Sequence, residues 1–437
     1  MTNCTPEKIK FPACKNRKVE SAFSGGDITS DGGSLLLRQA DRRLGLLRQV
    51  ADQLADPRRR SSCEHSLLSL LRQRVYALAL GYEDLNDHDR LRIDPALQTA
   101  VERDTTLAGS ATLCRWENRA DRESVWNIHR VLLDQFVASF KTPPAELVLD
   151  FDATDDPVHG EQEGRFFHGY YDAYCFLPLY VFCGDQLLVS YLRPSKIDGA
   201  KHAWAILALL VKRLRQAWPD VRIVFRGDSG FCRDRMLSWC ERKDVNYIAG
   251  IARNPRLESA GKSLQQQAEQ QYKDSSEKQR LFGEITYGAL TWDCQRRVIV
   301  KAEHTAQGPN PRFVITNLKD DPQKLYDEVY CARGEMENRI KEQQLDLFAD
   351  RTSCHKWWPN QFRLLLASLA YTLMEALRRL ALKNTELARA QCGTIRLKLL
   401  KIGAAVVRNT RRVILHLSSS CPYQNLFRQV AETLATG

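Results

Sequence analysis

Leu147-Val148-Leu149-Asp150-Phe151-Asp152-Ala153-Thr154 is an apolar run that alternates into carboxylates and then breaks at Asp155-Asp156-Pro157. In a strand, residues two apart share a face, so Asp150 and Asp152 point one way while Leu149 and Phe151 point the other. Buried carboxylates cost free energy unless a cation or counter-charge satisfies them. An acidic strand end is therefore either a metal-binding edge or a solvated Asp-rich turn, and the rest of the chain decides between the two.

Working outward, Thr142-Pro143-Pro144 marks a domain boundary just ahead of this strand. Downstream, Ala173 to Cys183 and Gln186 to Leu192 are dense in β-formers and joined by Gly184-Asp185, a hairpin signal. Ala203 to Ala217 has the period of an amphipathic helix, and Val221 to Phe225 is a short buried strand closed by Arg226-Gly227-Asp228-Ser229-Gly230. Arg233 to Arg242 reads as a helix and Val245 to Ile251 as another strand. A mixed α/β sheet in this order sets the ends of its first and fourth strands side by side, bringing Asp152 toward Asp228. From 254 to 317 the pattern changes to a Gln-rich helix and three β-like runs, Leu281 to Tyr287, Arg296 to Ala302 and Arg312 to Thr316. This predicts a β-rich insertion, with Trp292 at the tip between its first two runs. Asp320-Asp321-Pro322 then starts a charged helix to about Leu345, where spacings of three and four put Tyr330, Arg333, Glu337 and Lys341 on one face. The stripe Phe362, Leu365, Leu366, Leu369, Leu373 and Leu377 is the core face of the helix that follows.

The flanks carry much of the positive charge. Residues 1 to about 25 hold Lys8, Lys10, Lys15, Arg17 and Lys18 and predict a mobile basic arm. Helices follow from Ser34 to Leu54, Ser62 to Leu80, Pro95 to Val101 and Arg122 to Phe140. Arg115 and Arg119 lie on a further short helix, suited to a phosphate backbone or equally to solvent. The tail from Lys383 to Arg412 sets Arg389, Arg396, Lys398, Lys401, Arg408, Arg411 and Arg412 against Glu386 alone, a one-sign run suited to nucleic acid. Across 437 residues, 64 Lys and Arg face 53 Asp and Glu, and the net charge of +11 favours a polyanionic partner. The length implies two or three domains, and the boundaries divide the chain into a helical, arginine-rich region over 1–141 suited to DNA, an α/β domain over 142–382 with its insertion at about 254–317, and a basic C-terminal region over 383–437. The 13 cysteines include no Cys-x-x-Cys pair and read as reduced thiols of a cytoplasmic protein, and Cys354-His355 lacks the second ligand pair of a zinc site. The longest apolar run, Leu364 to Met374, is too short to span a bilayer, which argues against a membrane partner.

Asp152, Asp228 and Glu337 thus form a set of three acids on regular elements. Two divalent cations about 4 Å apart need a bridging carboxylate and one further ligand each. Such a pair activates a water or 3′-hydroxyl on one side of a phosphate and stabilises the leaving oxygen on the other. A carboxylate-pair glycosidase needs only two acids and no basic tail, and a non-catalytic DNA-binding protein leaves all three acids unmotivated.

With these residues in place, the chain resembles the DDE transposases of bacterial insertion sequences. Asp152 in Asp152-Ala153-Thr154 is similar to the family's Asp-x-Thr at the end of the first strand, and Asp228 to the second Asp after the fourth. Tyr330-x-x-Arg333-x-x-x-Glu337 is similar to the Tyr-Arg-Glu-Lys signature of one branch. The signature's lysine falls at Gln344, with Lys341 about one turn earlier on the same face. Asp150 shares the face of Asp152 and competes for the first position, while Asp155, Asp156 and His159 shape the turn that follows.

The resemblance implies a ribonuclease-H-like catalytic domain with two Mg²⁺ ions, or Mn²⁺ in their place, held by Asp152, Asp228 and Glu337. Its partners would be the element's terminal inverted repeats and target DNA, bound by a homodimer in the cytoplasm and at the nucleoid of a bacterium. Arg333 would neutralise a phosphate beside Glu337, Tyr330 would pack or hydrogen-bond the DNA backbone, and Lys341 would take over from the missing lysine. Related enzymes with a β insertion form a DNA hairpin and flip a base onto an aromatic residue, which makes Trp292 either that platform or a packing residue at a hairpin tip. A metal-dependent nuclease or resolvase of the same fold, cutting without joining, is the alternative.

Overall fold

The computed structural model describes residues 7–59, 61 and 63–436. They form two compact units, one of Met1–Arg119, Asp346–Phe348 and Leu369–Gly437, the other of Ala120–Leu345 and Ala349–Ser368. The boundaries read from sequence at 141 and 382 therefore shift. The helix Arg122–Ala138 belongs with the α/β unit because Phe136 is buried in that unit's core and the His129 ring reaches the Ser190 carbonyl at 3.1 Å.

In the first unit, strands β1 (Ile9–Cys14) and β2 (Arg17–Ser21) pair antiparallel as an exposed hairpin, with Lys8 Nζ 2.8 Å from Glu20. This replaces most of the mobile arm read from sequence. A short β3 (Ile28–Thr29) leads to two helices, Ser34–Leu44 and Leu46–Gln53, where one was predicted. Gly45 at φ +66 ends the first, and the Asp41 carboxylate accepts from Leu47 N at 2.9 Å to cap the second. The helix Leu67–Leu80 runs from its Ser66 cap to Gly81 at φ +92 and buries Arg72 and Arg74. Arg72 pairs with Asp41 at 3.0 Å and Glu102 at 2.6 Å, and Arg74 with Glu117 at 2.8 Å. Part of the arginine content read as DNA-facing is thus internal counter-charge.

The second unit is built on a mixed sheet. Strand β4 (Glu146–Ala153) is its acidic strand. Three short strands, β5 (Asp156–Pro157), β6 (Phe166–His168) and β7 (Ala173–Phe176), form a separate small sheet in the order β5-β7-β6. The run read as one strand from Ala173 to Cys183 splits at Leu177-Pro178, since proline lacks the N–H a ladder needs. Next come β8 (Leu179–Cys183), β9 (Gln186–Tyr191), β10 (Arg222–Gly227) and β11 (Asn246–Ile251). The last are β12 (Gln279–Tyr287), β13 (Arg296–Thr305), β14 (Gly308–Pro309) and β15 (Arg312–Thr316). The large sheet runs β12-β13-β15-β11-β10-β4-β8-β9, with β14 on β13. In it β4, β10 and β11 are parallel, and β8, β9, β15, β13 and β12 join antiparallel. The region 254–317, predicted as a β-rich insertion within the α/β domain, extends the large sheet. The open edge of β11 needs a hydrogen-bonding partner, and β15 returns to supply one, Ala249 opposite Ile315.

Alternation along β4 sorts the core. Leu147, Leu149 and Phe151 are buried with Leu207 and Leu214 of the helix Ala203–Ala217 and with Phe225, Met236 and Leu237. Val148 faces the other side, toward Val224, Ile248, Leu325 and Tyr326. A helical run over 322–347 supplies Leu325 and Tyr326, so Asp150 and Asp152, on the face of Val148, meet that run. The run is uneven: Leu325–Tyr330 winds as π-helix, Cys331–Arg333 as 3₁₀ and Gly334–Lys341 as α-helix.

The chain ends in the first unit, where β16 (Ala404–Arg408) and β17 (Val413–Leu417) precede the helix Gln424–Ala435. Because β16 pairs with β3, Ala404 opposite Thr29, the basic C-terminal region is not a separate domain.

Candidate active site

In the parallel pair β4 and β10 the last register partners are Phe151 and Gly227, and the next residue on each strand is an aspartate, Asp152 and Asp228. Strand order therefore juxtaposes the two carboxylates. Asp228 opens a tight turn over Ser229–Phe231, and its Oδ1 accepts from Gly230 N at 2.8 Å. Asp152 is largely covered, with 16% of its side chain exposed. Burial first of all, and the negative charges of Asp228 and Glu337 after it, push its carboxyl up to about 7 against the pull of Arg333.

The helical run brings the third acid. Arg333 Nη2 donates to Glu337 Oε1 at 2.6 Å while its Nη1 lies 3.5 Å from Asp152 Oδ2, so one guanidinium bridges the strand and helix acids. Tyr330, one turn before Arg333, stands over β11 beside the Asp228 turn. A Cβ at Gly250 would meet the Tyr330 hydroxyl at 2.7 Å and Ser229 N at 3.0 Å, so this position on β11 requires glycine. Burial, with Asp228 nearby, raises the Tyr330 hydroxyl above its ordinary range, opposed by Arg333.

Asp150 has a different environment. It is buried, and both its oxygens accept from Arg226, with Nη2 to Oδ2 at 2.6 Å. Arg226 also donates to the Val329 carbonyl, fixing the helical run just before Tyr330. The sequence reading missed Arg226; its signal was the register, which sets it directly opposite Asp150. Gln344, where the signature has lysine, donates to the Asp155 carbonyl at 2.9 Å, whereas Lys341 is exposed on the helix. Asp156 is buried in β5, and burial holds its carboxyl well above the usual range.

The three acids present hard oxygen donors of the kind Mg²⁺ and Mn²⁺ take, and the burial and neighbouring negative charges that raise Asp152 are what a bound cation offsets. Asp152, Asp228 and Glu337 thus fit a divalent ion by chemistry. Among the described residues no group of three or more Asp, Glu, His or Cys side chains is drawn together as a ready metal cluster, and Arg333 is the counter-charge at this site.

The other sequence candidates divide by environment. Trp292 packs edge-on against Tyr287, ring centres 5.6 Å apart, with the Arg296 guanidinium 5.3 Å from its own ring, at the β12–β13 connection. Arg396 donates to the Ala79 carbonyl at 2.8 Å and to the Leu78 and Asp346 carbonyls, closing the C-terminal end of the helix Leu67–Leu80. Lys401 pairs with Asp31 at 2.7 Å and covers the Tyr82 ring. Lys398 lies over the Tyr423 ring and Arg408 donates to Gln98. Arg411 and Arg412 are exposed at the tip between β16 and β17, and Arg115 and Arg119 are exposed at the end of the helix Ser110–Glu117. Burying an arginine on carbonyls or a lysine on a carboxylate leaves no periodic trace in sequence, which is why Arg396 and Lys401 read as surface.

The family model described as Transposase DDE domain group 1 matches residues 11–436. The chain belongs to this DDE transposase family. It is therefore a transposase and a nucleotidyl transferase by family, acting on DNA, and the family generally uses divalent metal ions. Among solved structures, the cryo-EM structure of a piggyBac transposase synaptic complex with hairpin DNA is similar at 11% identity and a TM-score of 0.40, over 90% of this chain and 81% of that one. No curated protein matches the transposase chain in sequence. Among its described residues no helix is long and apolar enough to cross a membrane.

Proposed function

We propose that the chain is the transposase of a bacterial insertion sequence, binding terminal inverted repeats and catalysing metal-dependent cleavage and strand transfer through Asp152, Asp228 and Glu337. The observation that carries this reading is the convergence of two strand-end aspartates from adjacent parallel strands with a helix glutamate through Arg333. The order β9-β8-β4-β10-β11, with β8 antiparallel and β10 and β11 parallel to β4, supports a ribonuclease-H-like core.

Asp152, Asp228 and Glu337 would hold two Mg²⁺ or Mn²⁺ ions, which when bound activate the attacking oxygen and stabilise the leaving one. The protein's own residues set the geometry. Asp152 and Asp228 are fixed by strand ends whose register Arg226 locks through Asp150 and Val329. Arg333 neutralises the acids in the free protein and turns to a DNA phosphate when the site is loaded, releasing Glu337. Tyr330 supports the scissile backbone from above β11, and exposed Lys341 contacts the flanking phosphate. Arg115, Arg119, Arg411 and Arg412 give the first unit its phosphate contacts, and two chains act together on paired ends. The site of action is the cytoplasm and nucleoid.

Pre-cut DNA ends bearing free 3′-hydroxyls, incubated with a supercoiled target and Mg²⁺, test the assignment against a nuclease or resolvase. Joined products are predicted, and nicking of the target without joining would sink the strand-transfer reading.

A further inference from the structure

Asp156 takes no part in the site built on Asp152, Asp228 and Glu337, yet it is a carboxylate only 1% exposed, and neither of its oxygens accepts a hydrogen bond from a described residue. Its position is set by the backbone. It opens β5, four residues after Asp152, and pairs with Phe176 of β7. The charges that act on it, Asp350 and then Asp155, are both negative. Three further oxygens in this part of the second unit also lack a partner among the described residues. The Thr352 hydroxyl stands next to the Asp156 carboxylate. The Tyr180 hydroxyl is fully buried and is acted on by the charges of Asp156 and Asp350. Gln162 donates through Nε2 to the Thr352 carbonyl at 3.2 Å and leaves its Oε1 unsatisfied. Asp350 is tied to the same segment, its carbonyl accepting from Thr352 N at 3.0 Å, and it stands at the exposed rim.

A buried polar atom without a partner carries its full desolvation cost, so several of them around one buried carboxylate call for a ligand. Water would satisfy the hydroxyls and the amide, but it would leave the repulsion between Asp156 and Asp350 in place. A cation removes both penalties. The donors are oxygens alone, without a histidine or a thiolate, which selects Ca²⁺ or Mg²⁺ over a softer metal, and two carboxylates match a divalent charge. We propose that Asp156, Asp350, Thr352 and Tyr180, with Gln162, hold a hard divalent cation at a site separate from the catalytic acids. Asp350 at the rim gives the ion its way in. The ion also has a structural consequence for the acids. Asp156 lies in the turn that follows Asp152, Tyr180 is the cross-strand partner of Asp152 on β8, and Thr352 lies just beyond the helical run over 322–347 that carries Glu337. One ion thereby braces the strand acid against the segment that follows the helix acid. Only this bracing role rests on the transposase reading; the ion site stands on its own oxygens.

The test uses the full chain carrying Asp152→Ala/Asp228→Ala/Glu337→Ala, which removes the catalytic ligands, with Tb³⁺ as the probe because it takes the same oxygen donors and is excited through a neighbouring tyrosine. One equivalent is predicted to bind with tyrosine-sensitised emission and to be displaced by excess Ca²⁺ or Mg²⁺. Adding Asp156→Asn is predicted to weaken Tb³⁺ binding by about 100-fold or more, and adding Asp350→Asn or Thr352→Val by about ten-fold. Thermal melts separate ligand loss from damage to the fold. The parent triple variant is predicted to gain in Tm on adding Ca²⁺, and the Asp156→Asn and Thr352→Val forms to melt cooperatively in EDTA with little or no such gain. Absence of a bound equivalent in the parent, or binding that Asp156→Asn and Thr352→Val leave unchanged, overturns the proposal. So does a parent Tm indifferent to Ca²⁺ with a higher Tm for Asp156→Asn, the mark of a carboxyl that simply keeps its proton. Because the probe is read with the catalytic acids gone, failure of strand transfer in the wild type leaves this readout intact, and loss of the ion site leaves the transposase reading standing.

Discussion

Asp150 and Asp152 sit two residues apart on one face of one strand, and their surroundings separate their roles. Asp150 is a buried half of a bidentate pair with Arg226. Removing one partner leaves an uncompensated buried charge, so Arg226→Met is predicted to cost about 3–5 kcal/mol, read by urea unfolding. Asp152 is buried close to Asp228 and Glu337, opposed by Arg333 and by the Ala153 N–H that donates to it at 2.9 Å, and it is predicted to stabilise the metal-free protein when neutralised. The sign follows from its proton. The unfolded carboxyl releases near the ordinary 3.8, the folded one only near about 7, so between those values the folded state binds more protons. Its contribution to stability is then greatest below 3.8 and falls as pH rises through the window. Asp152→Asn is predicted to gain on wild type progressively from pH 4 to 7 and to hold a constant advantage above, with Tm rising on the order of 2 °C per kcal/mol relieved. A thermal melt series in EDTA checks this, and an advantage that shrinks with rising pH would contradict the carboxylate crowding.

At the scale of elements, strand β11 must let Tyr330 approach, and Gly250→Ala drives a methyl against the tyrosine hydroxyl and Ser229 N. A loss of about 1–3 kcal/mol in stability and a larger loss of DNA cleavage are predicted, because the displaced groups border Asp228. The hairpin of β16 and β17 makes a contrasting case. Arg411→Ala/Arg412→Ala is predicted to leave the melting temperature unchanged and to lower the slope of log affinity against log salt by about 2, whereas Arg396→Ala lowers stability by uncapping the helix Leu67–Leu80. The strands β4, β9, β10 and β11 and the helices between β9 and β11 were legible in the sequence because each carries its own period and its own terminators, whereas the short β5 and β6 carry too few residues to show one. The extension of the sheet by β12, β13 and β15 was not, since which edge a strand joins is decided by hydrogen bonds across the fold and not by local pattern. The same limit hid the Asp150–Arg226 pair, while Asp152 and Asp228 stood out because acids at strand ends break an otherwise apolar rhythm, and Glu337 through its spacing from Tyr330 and Arg333 on a charged helix.

For the whole molecule, the 64 Lys and Arg overstate the cations available to DNA, because Arg72, Arg74, Arg226 and Arg296 are spent on internal carboxylates and Arg396 on carbonyls. The chain is of the transposase family, and the proposed catalytic acids sit at the ends of two strands and on one helical run, all in the unit of Ala120–Leu345 and Ala349–Ser368. The claim that these three acids are its catalytic set is tested most directly by cleavage and strand transfer on the element's own ends, with Mg²⁺ or EDTA, for wild type and for Asp152→Ala, Asp228→Ala and Glu337→Ala separately. Both products are predicted to vanish in EDTA and in each variant, by 10³-fold or more on the order expected for loss of a ligand to the reacting phosphate, while DNA binding persists. Cleavage that survives any one of the three substitutions at near the wild-type rate would contradict the assignment of that residue.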